Sequence, residues 1–290
     1  MKALGLAFHV EFHGTELAML AQRVENQVVG APCGLMDQLS GCFGEQGKLL
    51  PILCQPDRVL EPVEIAEDVF FAGIDSGVKH SVGSSAYADA RCAAFMGYSI
   101  IAESLGLTKT EISNFRKTRN RQELPYEGYL CNISIDEFES RFRKLLPDVI
   151  IGKDFMNRFG FTIDPETEIN PDTEYKIIQC TAHPVYENHR VNRFREKLDM
   201  LKRVTLQNDR NKILHDMGTC MYQSHESYSR CGLGDAKTDE IVRFISGEPG
   251  IYGARITGAG QGGTVCVFGA GEDGRQSVLN VCKQTGTQLI

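Results

Sequence analysis

Val24-Glu-Asn-Gln-Val-Val-Gly-Ala-Pro-Cys-Gly-Leu-Met-Asp-Gln38 sets two carboxylates, Glu25 and Asp37, on either side of a rigid Gly/Pro turn. Upstream, apolar residues at Leu17, Leu20, Val24 and Val28 recur at helical spacing, so a helix is predicted from Glu16 to about Val28, stopped by Gly30 and Pro32. Downstream, Gly34 to Phe43 reads as a second, short helix with Asp37 in its first turn. A turn of this length folds one helix end back beside the start of the next. At that start, free N–H groups and the helix dipole favour an ionised Asp37, a state suited to accepting a hydroxyl proton, while Glu25 offers oxygens suited to Mg²⁺. The same letters also describe a first-turn capping Asp and a solvated Glu, and the residues alone leave both readings open.

Beyond this stretch the pattern is mixed α and β. Lys48 to Cys54, Val59 to Ile65 and Val69 to Ile74 read as strands, and Ser84 to about Leu105 as a long helix near whose start the domain boundary is expected. Ser134-Ile-Asp-Glu137 is a capping box opening a helix that Pro147 ends, and Gly160 to Tyr175 reads as loop. Helices are predicted over His183 to Leu201, Asp209 to Tyr228, Asp235 to Ile245 and Gly271 to Gln284, with strands at Gly253–Thr257 and Thr264–Phe268. That order predicts an α+β sandwich rather than a doubly wound parallel sheet.

Two further stretches carry possible chemistry. Thr257-Gly-Ala-Gly-Gln-Gly-Gly263 is a glycine turn between two strands, built for close backbone approach to a phosphate or for a plain hairpin; it does not open a helix, so a dinucleotide-binding unit is excluded. Asp75-Ser-Gly-Val-Lys-His80 closes a strand with polar groups, and Tyr87 follows in the next helix. Ser81-Val-Gly-Ser-Ser-Ala86 has phosphate-cradle letters, which an N-capped helix start explains equally well. His225-Glu226 is followed by Ser229 where a second zinc-ligating His would stand.

Composition narrows the function classes. The 290 residues are 42% hydrophobic and 24% charged, the make-up of a folded globular chain. With Lys+Arg 31 against Asp+Glu 38, the net charge of −7 argues against nucleic acid or an anionic membrane as partner. No apolar run approaches the ~20 residues of a membrane helix. The 10 cysteines are scattered without a C-x-x-C, which argues for reduced thiols, a cytoplasmic location and no zinc.

Taken in order, the stretches 24–38, Gly73-Ile-Asp-Ser-Gly-Val-Lys-His-Ser81, His183-Pro-Val-Tyr-Glu-Asn-His-Arg-Val191, Gln223-Ser-His-Glu-Ser-Tyr-Ser229 and Ile256-Thr-Gly-Ala-Gly-Gln-Gly-Gly-Thr264 resemble the sugar-kinase branch of the GHMP kinase superfamily. The resemblance implies a two-domain α+β fold: a partial S5-like N-terminal domain over residues 1–82 and a ferredoxin-like α/β sandwich over 83–290. It implies transfer of the ATP γ-phosphoryl group to the anomeric hydroxyl of a monosaccharide, with L-arabinose the first expectation and D-galactose the second. On this resemblance Asp37 is the catalytic residue and also contacts the sugar, Glu25 associates with Mg²⁺, Tyr87 and Gly77 contact substrate, and Gly258, Gly260, Gly262 and Gly263 belong to the motif that packs against the nucleotide. ATP, Mg²⁺ and a small sugar are then the ligands, and oligomeric state is left open.

Two family motifs have no counterpart: the first, which supplies an Arg beside the catalytic Asp, and the second, the Gly-Leu-Gly-Ser-Ser-Ala phosphate loop. The chain is therefore expected to correspond to the C-terminal part of such a kinase, to stop short of a final strand, and to have very low or no activity in isolation. The alternative from another class is a non-catalytic, sugar-binding or regulatory relative.

Overall fold

The computed structural model describes residues 2–29, 33–54, 57–79, 85–118 and 120–290. They form two compact units, Met1–Glu67 and Asp68–Ile290.

In the first unit, α1 (Lys2–Phe8) and α2 (Gly14–Val24) are followed by a π-helical turn, Glu25–Val29, and by α3 (Met36–Phe43). The predicted helix over 16–28 is thus an α-helix that widens at Glu25; its expected stop at Gly30 and Pro32 lies outside the described residues. α2 and α3 meet through Ala18, Leu35 and Leu39, with Cys42, Phe43, Ile52 and Val59 packed around them. Four short strands follow: β1 (Lys48–Leu49), β2 (Ile52–Cys54), β3 (Asp57–Val59) and β4 (Val63–Glu64). They pair antiparallel as β1 with β4 and β2 with β3, nested hairpins in place of the two continuous strands expected. Pro51 and Pro62, which cannot donate to a ladder, mark both interruptions.

The second unit begins with β5 (Val69–Asp75) and α4 (Ser85–Ser104). Next come α5 (Lys109–Thr118), a run of 3₁₀ turns, and α6 (Ile135–Glu137), which the capping box opens as expected: Ser134 Oγ accepts the Glu137 N–H at 3.2 Å. The helix then changes to π over Phe138–Phe142 and to 3₁₀ over Arg143–Leu145, so it is less regular than predicted. β6 (Val149–Ile151), α7 (Gly152–Phe159) and β7 (Glu174–Lys176) follow; β6 pairs with β7, which corrects the reading of 160–175 as loop throughout. α8 (Ile177–Leu201) starts six residues earlier than expected and contains Pro184. α9 (Gln207–Arg230), α10 (Ala236–Ile245), β8 (Ile251–Ile256), β9 (Thr264–Ala270) and α11 (Gly271–Thr285) agree with the sequence reading to within about two residues. A last short strand, β10 (Gln288–Leu289), pairs with Ile74 and Asp75.

The sheet order is β10-β5-β9-β8, antiparallel throughout, as the α+β reading requires. Alternate residues face opposite ways. Val265 and Val267 join Ile74, Ala254, Ile241, Ile245, Val278 and Val281 on the side of α10 and α11. Phe268 instead stacks on Phe71 and meets Phe194 of α8 edge-on. On the same side α9 touches β8 backbone to backbone, because a Cβ on Gly218 would lie 1.8 Å from the Tyr252 carbonyl oxygen and one on Gly253 only 2.7 Å from Gly218 Cα. A second, larger core gathers α4, α7, α8 and the irregular segment around Tyr98, Ile101, Phe138, Phe142, Phe155 and Tyr175, all under 2% exposed. It is tied by a bidentate pair in which Arg91 Nε and Nη2 donate to Asp164 at 2.9 and 3.0 Å.

Candidate active site

In the first unit, the turn between α2 and α3 is organised by Cys33. Its N–H donates to Asn26 Oδ1 at 3.0 Å, its carbonyl accepts Gln22 Nε2 at 3.1 Å, and its thiol lies 3.1 Å from Glu25 Oε2 and 3.7 Å from Gln38 Nε2. One residue thus binds both flanks of the turn, so the two carboxylate-bearing segments are fixed together as the sequence predicted. Burial first, and then Glu25, push the Cys33 thiol up, so it stays a donor to that carboxylate.

Glu25 opens the π-helical turn, a local widening of the kind often found at functional sites. It has no ion pair among the described residues, and that suits Mg²⁺, which typically takes one or two carboxylates and fills its remaining positions with water and phosphate oxygens. Asp37 lies exposed in the first turn of α3, again without an ion pair or side-chain hydrogen bond among the described residues. Gln38 beside it is buried, and its Oε1 has no partner among the described residues.

In the second unit, the glycine turn links Ile256 to Val265, which are cross-strand partners. Thr257 closes its neck by donating from N and Oγ1 to the Thr264 carbonyl at 3.0 and 2.9 Å. Gly258 and Ala259 form an exposed crest, while Gly260 and Gly262 are buried at its base. The base fits its surroundings only without side chains: a Cβ on Gly260, at φ +85, would lie 2.3 Å from the Leu233 carbonyl oxygen, and one on Gly262, at φ +122, 2.7 Å from that of Val78. Gln261 N donates to Leu233 O at 2.8 Å, Gly263 N to Val78 O at 3.0 Å, and Ser76 N to Gly263 O at 3.0 Å. Gly77, at φ +72, lies in that strap with its N–H on Asp75 Oδ1 at 3.0 Å. The structure thus places Gly77, between Ser76 and Val78, beside the base of the glycine turn at Gly262 and Gly263. Tyr87 stands in the first turn of α4 and packs half-buried against the larger core, without a hydrogen bond to the glycine turn. Most of the cradle-like letters of Ser81–Ala86 lie outside the described residues.

Behind the glycine turn lies a polar network to which sequence reasoning assigned no role. Glu187 of α8 accepts Arg255 Nη1 at 2.7 Å and Ser224 Oγ at 2.5 Å on Oε1, and Arg190 Nε at 2.7 Å on Oε2. Burial alone would raise its carboxyl, but Arg255, Ser224 and Arg190 together hold it below the usual range. His225 Nδ1 accepts the Ile256 N–H at 3.2 Å; since an amide can only donate, the ring proton is on Nε2, 3.0 Å from Asp239 Oδ1. Burial lowers the His225 pKa against the opposing pull of Asp239, and lowers that of His183, bonded to Ser227 Oγ at 2.8 Å, to about 4. Tyr228 donates to the Gly258 carbonyl at 3.0 Å, with the Arg255 guanidinium over its ring. A signal was available: Arg255 is a charge inside an otherwise apolar strand, and such a charge needs a partner.

Residues 207–288, from the first residue of α9 into β10, match the family described as GHMP kinases C terminal. The matched stretch includes the glycine turn, His225, Tyr228 and Arg255, while Glu187 precedes it. The chain is 38% identical to L-arabinokinase of Arabidopsis thaliana over 93% of its length and 27% identical to galactokinase of Chloroflexus aggregans over 90%. It spans 27% of the first protein and 53% of the second. The crystal structure of Lactococcus lactis galactokinase complexed with galactose shares the fold, with a TM-score of 0.67 and 20% identity over 99% of this chain and 61% of that one. No helix among the described residues is long and apolar enough to cross a membrane.

Proposed function

We propose that the chain is part of an ATP- and Mg²⁺-dependent sugar kinase that phosphorylates an anomeric hydroxyl, with L-arabinose the first candidate and D-galactose the second. The observation that carries this reading is the likeness to L-arabinokinase over 93% of the chain, in a molecule whose α2–α3 turn holds two carboxylates without ion pairs among the described residues.

Phosphoryl transfer demands positioning and charge stabilisation more than covalent chemistry, so few groups are needed. Asp37, in the first turn of α3, orients the sugar hydroxyl and takes its proton as the bond to phosphorus forms. The carboxylate of Glu25 would hold Mg²⁺, which supplies neutralisation of the phosphate charge. Gly258, Gly260, Gly262 and Gly263 present backbone rather than side chains, letting a nucleotide approach closely. Tyr87 and Gly77 are assigned to substrate contact, and the family's domain division is set at residue 82. On this reading the 290 residues alone turn over very slowly or not at all.

The test is ADP release from Mg-ATP by the whole protein, meaning these residues with whatever coding sequence adjoins them in frame, given L-arabinose and D-galactose in parallel. Release that depends on L-arabinose and exceeds that with D-galactose is the expected result. Sugar-independent release, or preference for D-galactose, would overturn the substrate assignment.

A further inference from the structure

The glycine turn cannot hold itself. Four of its residues from Thr257 to Gly263 are glycines, which lose more conformational freedom on ordering than any other residue and bring no side chains to pack. Its shape must therefore be imposed by neighbours. Leu233 and Val78 fix its base through backbone bonds. The direction in which β8 enters the turn is fixed elsewhere, at Ile256.

Both polar groups of Ile256 are taken by side chains: its N–H by His225 Nδ1 of α9 at 3.2 Å and its carbonyl by Nε of the neighbouring Arg255 at 3.1 Å. Arg255 is thus a bridge. One edge of its guanidinium grips the last peptide of β8; Nη1 on the other side is held by Glu187, 68 residues earlier in the chain. Its flat face covers Tyr228, whose hydroxyl holds the Gly258 carbonyl at the far end of the same turn. Glu187 is in turn locked by Ser224 and Arg190, so its carboxylate has little freedom to follow a moving arginine. The side chains of Glu187 and Arg190 are 17% and 11% exposed, which shields these bonds from competing water. Beyond them Phe71, Val191, Phe194 and Met221 wall a cavity of about 190 Å³.

We propose that Glu187 is a positioning residue for the glycine turn, acting through Arg255 to fix the exit of β8 and so the conformation in which Gly258–Gly263 is presented. It touches no reacting group itself. Its consequence for nucleotide affinity rests on the kinase reading above; its effect on the turn does not. Pre-organised backbone binds a ligand more tightly because the ordering has already been done.

Backbone amide exchange of the 290-residue chain tests this. The reporters are the hydrogen-bonded amides of Ile256, Thr257, Gln261 and Gly263, with Met96 to Ile101 in α4 as the internal reference. Glu187→Gln keeps size and shape but removes the charge; it is expected to speed exchange at the four reporters by about tenfold while α4 is unchanged. Arg255→Gln should do the same, and the double variant should be no faster than either single one, because both act through one contact. Ser224→Ala, a milder loosening of Glu187, should give a smaller rise at the same amides and serves if Glu187→Gln fails to fold. Unchanged reporter exchange in the folded variants, a rise shared equally with α4, or additive effects in the double variant would overturn the proposal. A chain whose turn behaves as expected but which shows no affinity for Mg-ATP with its adjoining sequence in place would count against the kinase reading alone.

Discussion

Two alanine substitutions in the glycine turn, one at Gly258 and one at Gly260, should differ sharply although the sequence makes them look alike. Gly258 has φ +63, and an added Cβ would meet nothing within 4 Å. Only the left-handed backbone penalty applies, about 1 kcal/mol. Gly260 has φ +85, and its Cβ would lie 2.3 Å from the Leu233 carbonyl oxygen and 2.9 Å from Leu233 Cβ. Relieving that overlap takes a displacement of about 1 Å, enough to break the hydrogen bond from Gln261 N to the same carbonyl. Losing it and leaving its groups unpaired adds about 2 kcal/mol, for a total near ~3 kcal/mol. In a unit of this size 1 kcal/mol lowers Tm by about 2–4 °C, so Gly258→Ala should lower it by about 2–4 °C and Gly260→Ala by about 6–12 °C. Thermal unfolding followed by circular dichroism measures both. Equal shifts, or a larger one at Gly258, would refute the claim that the base of the turn is fixed by close packing and the crest is open.

Acid should destabilise the second unit earlier than its carboxylates alone require. His183 is held neutral, with its pKa lowered from 6.5 to about 4, so below pH 6.5 the unfolded chain gains a proton that the folded chain refuses. Stability on the order of 3 kcal/mol should be lost as pH falls from 6.5 to 4, and denaturant titrations of His183→Gln should show a flatter dependence over that window. Asp164→Asn should lower stability by about 3 kcal/mol in urea unfolding, because it strips the charge from a carboxylate 3% exposed and bound bidentately by Arg91. Glu25→Ala should raise the Mg²⁺ concentration for half-maximal ADP release by the whole protein, leaving sugar affinity unchanged.

The legible parts of the sequence were those governed by local chemistry. Asp235 accepts from the Lys237 and Thr238 amides and starts α10 where an N-cap residue should. The Ser134 box made its bond, and β5, β8 and β9 followed their apolar runs with the glycine turn between the last two. Where local signals were weak, tertiary contacts decided. Lys109-Thr-Glu-Ile-Ser-Asn-Phe-Arg-Lys-Thr118 has only Ile112 and Phe115 to mark its buried face, and Glu174-Tyr-Lys176 is a strand because Tyr175 is buried against α4. In the candidate site, Glu25 and Asp37 were visible because a single turn separates them. The network behind the glycine turn was not, since Glu187 meets Ser224 and Arg255 across separations of 37 and 68 residues. Contacts that distant follow from how α8 and α9 lie along β8, and no residue pattern encodes them one at a time.

On the proposed reading, Asp37 accepts the proton of a sugar hydroxyl during phosphoryl transfer. Sugar-dependent ADP release by the whole protein, compared between Asp37 and Asp37→Asn, tests it most directly. In the variant kcat should fall by about 10²-fold or more while the sugar concentration for half-maximal rate barely changes. Near-normal turnover by Asp37→Asn would contradict it.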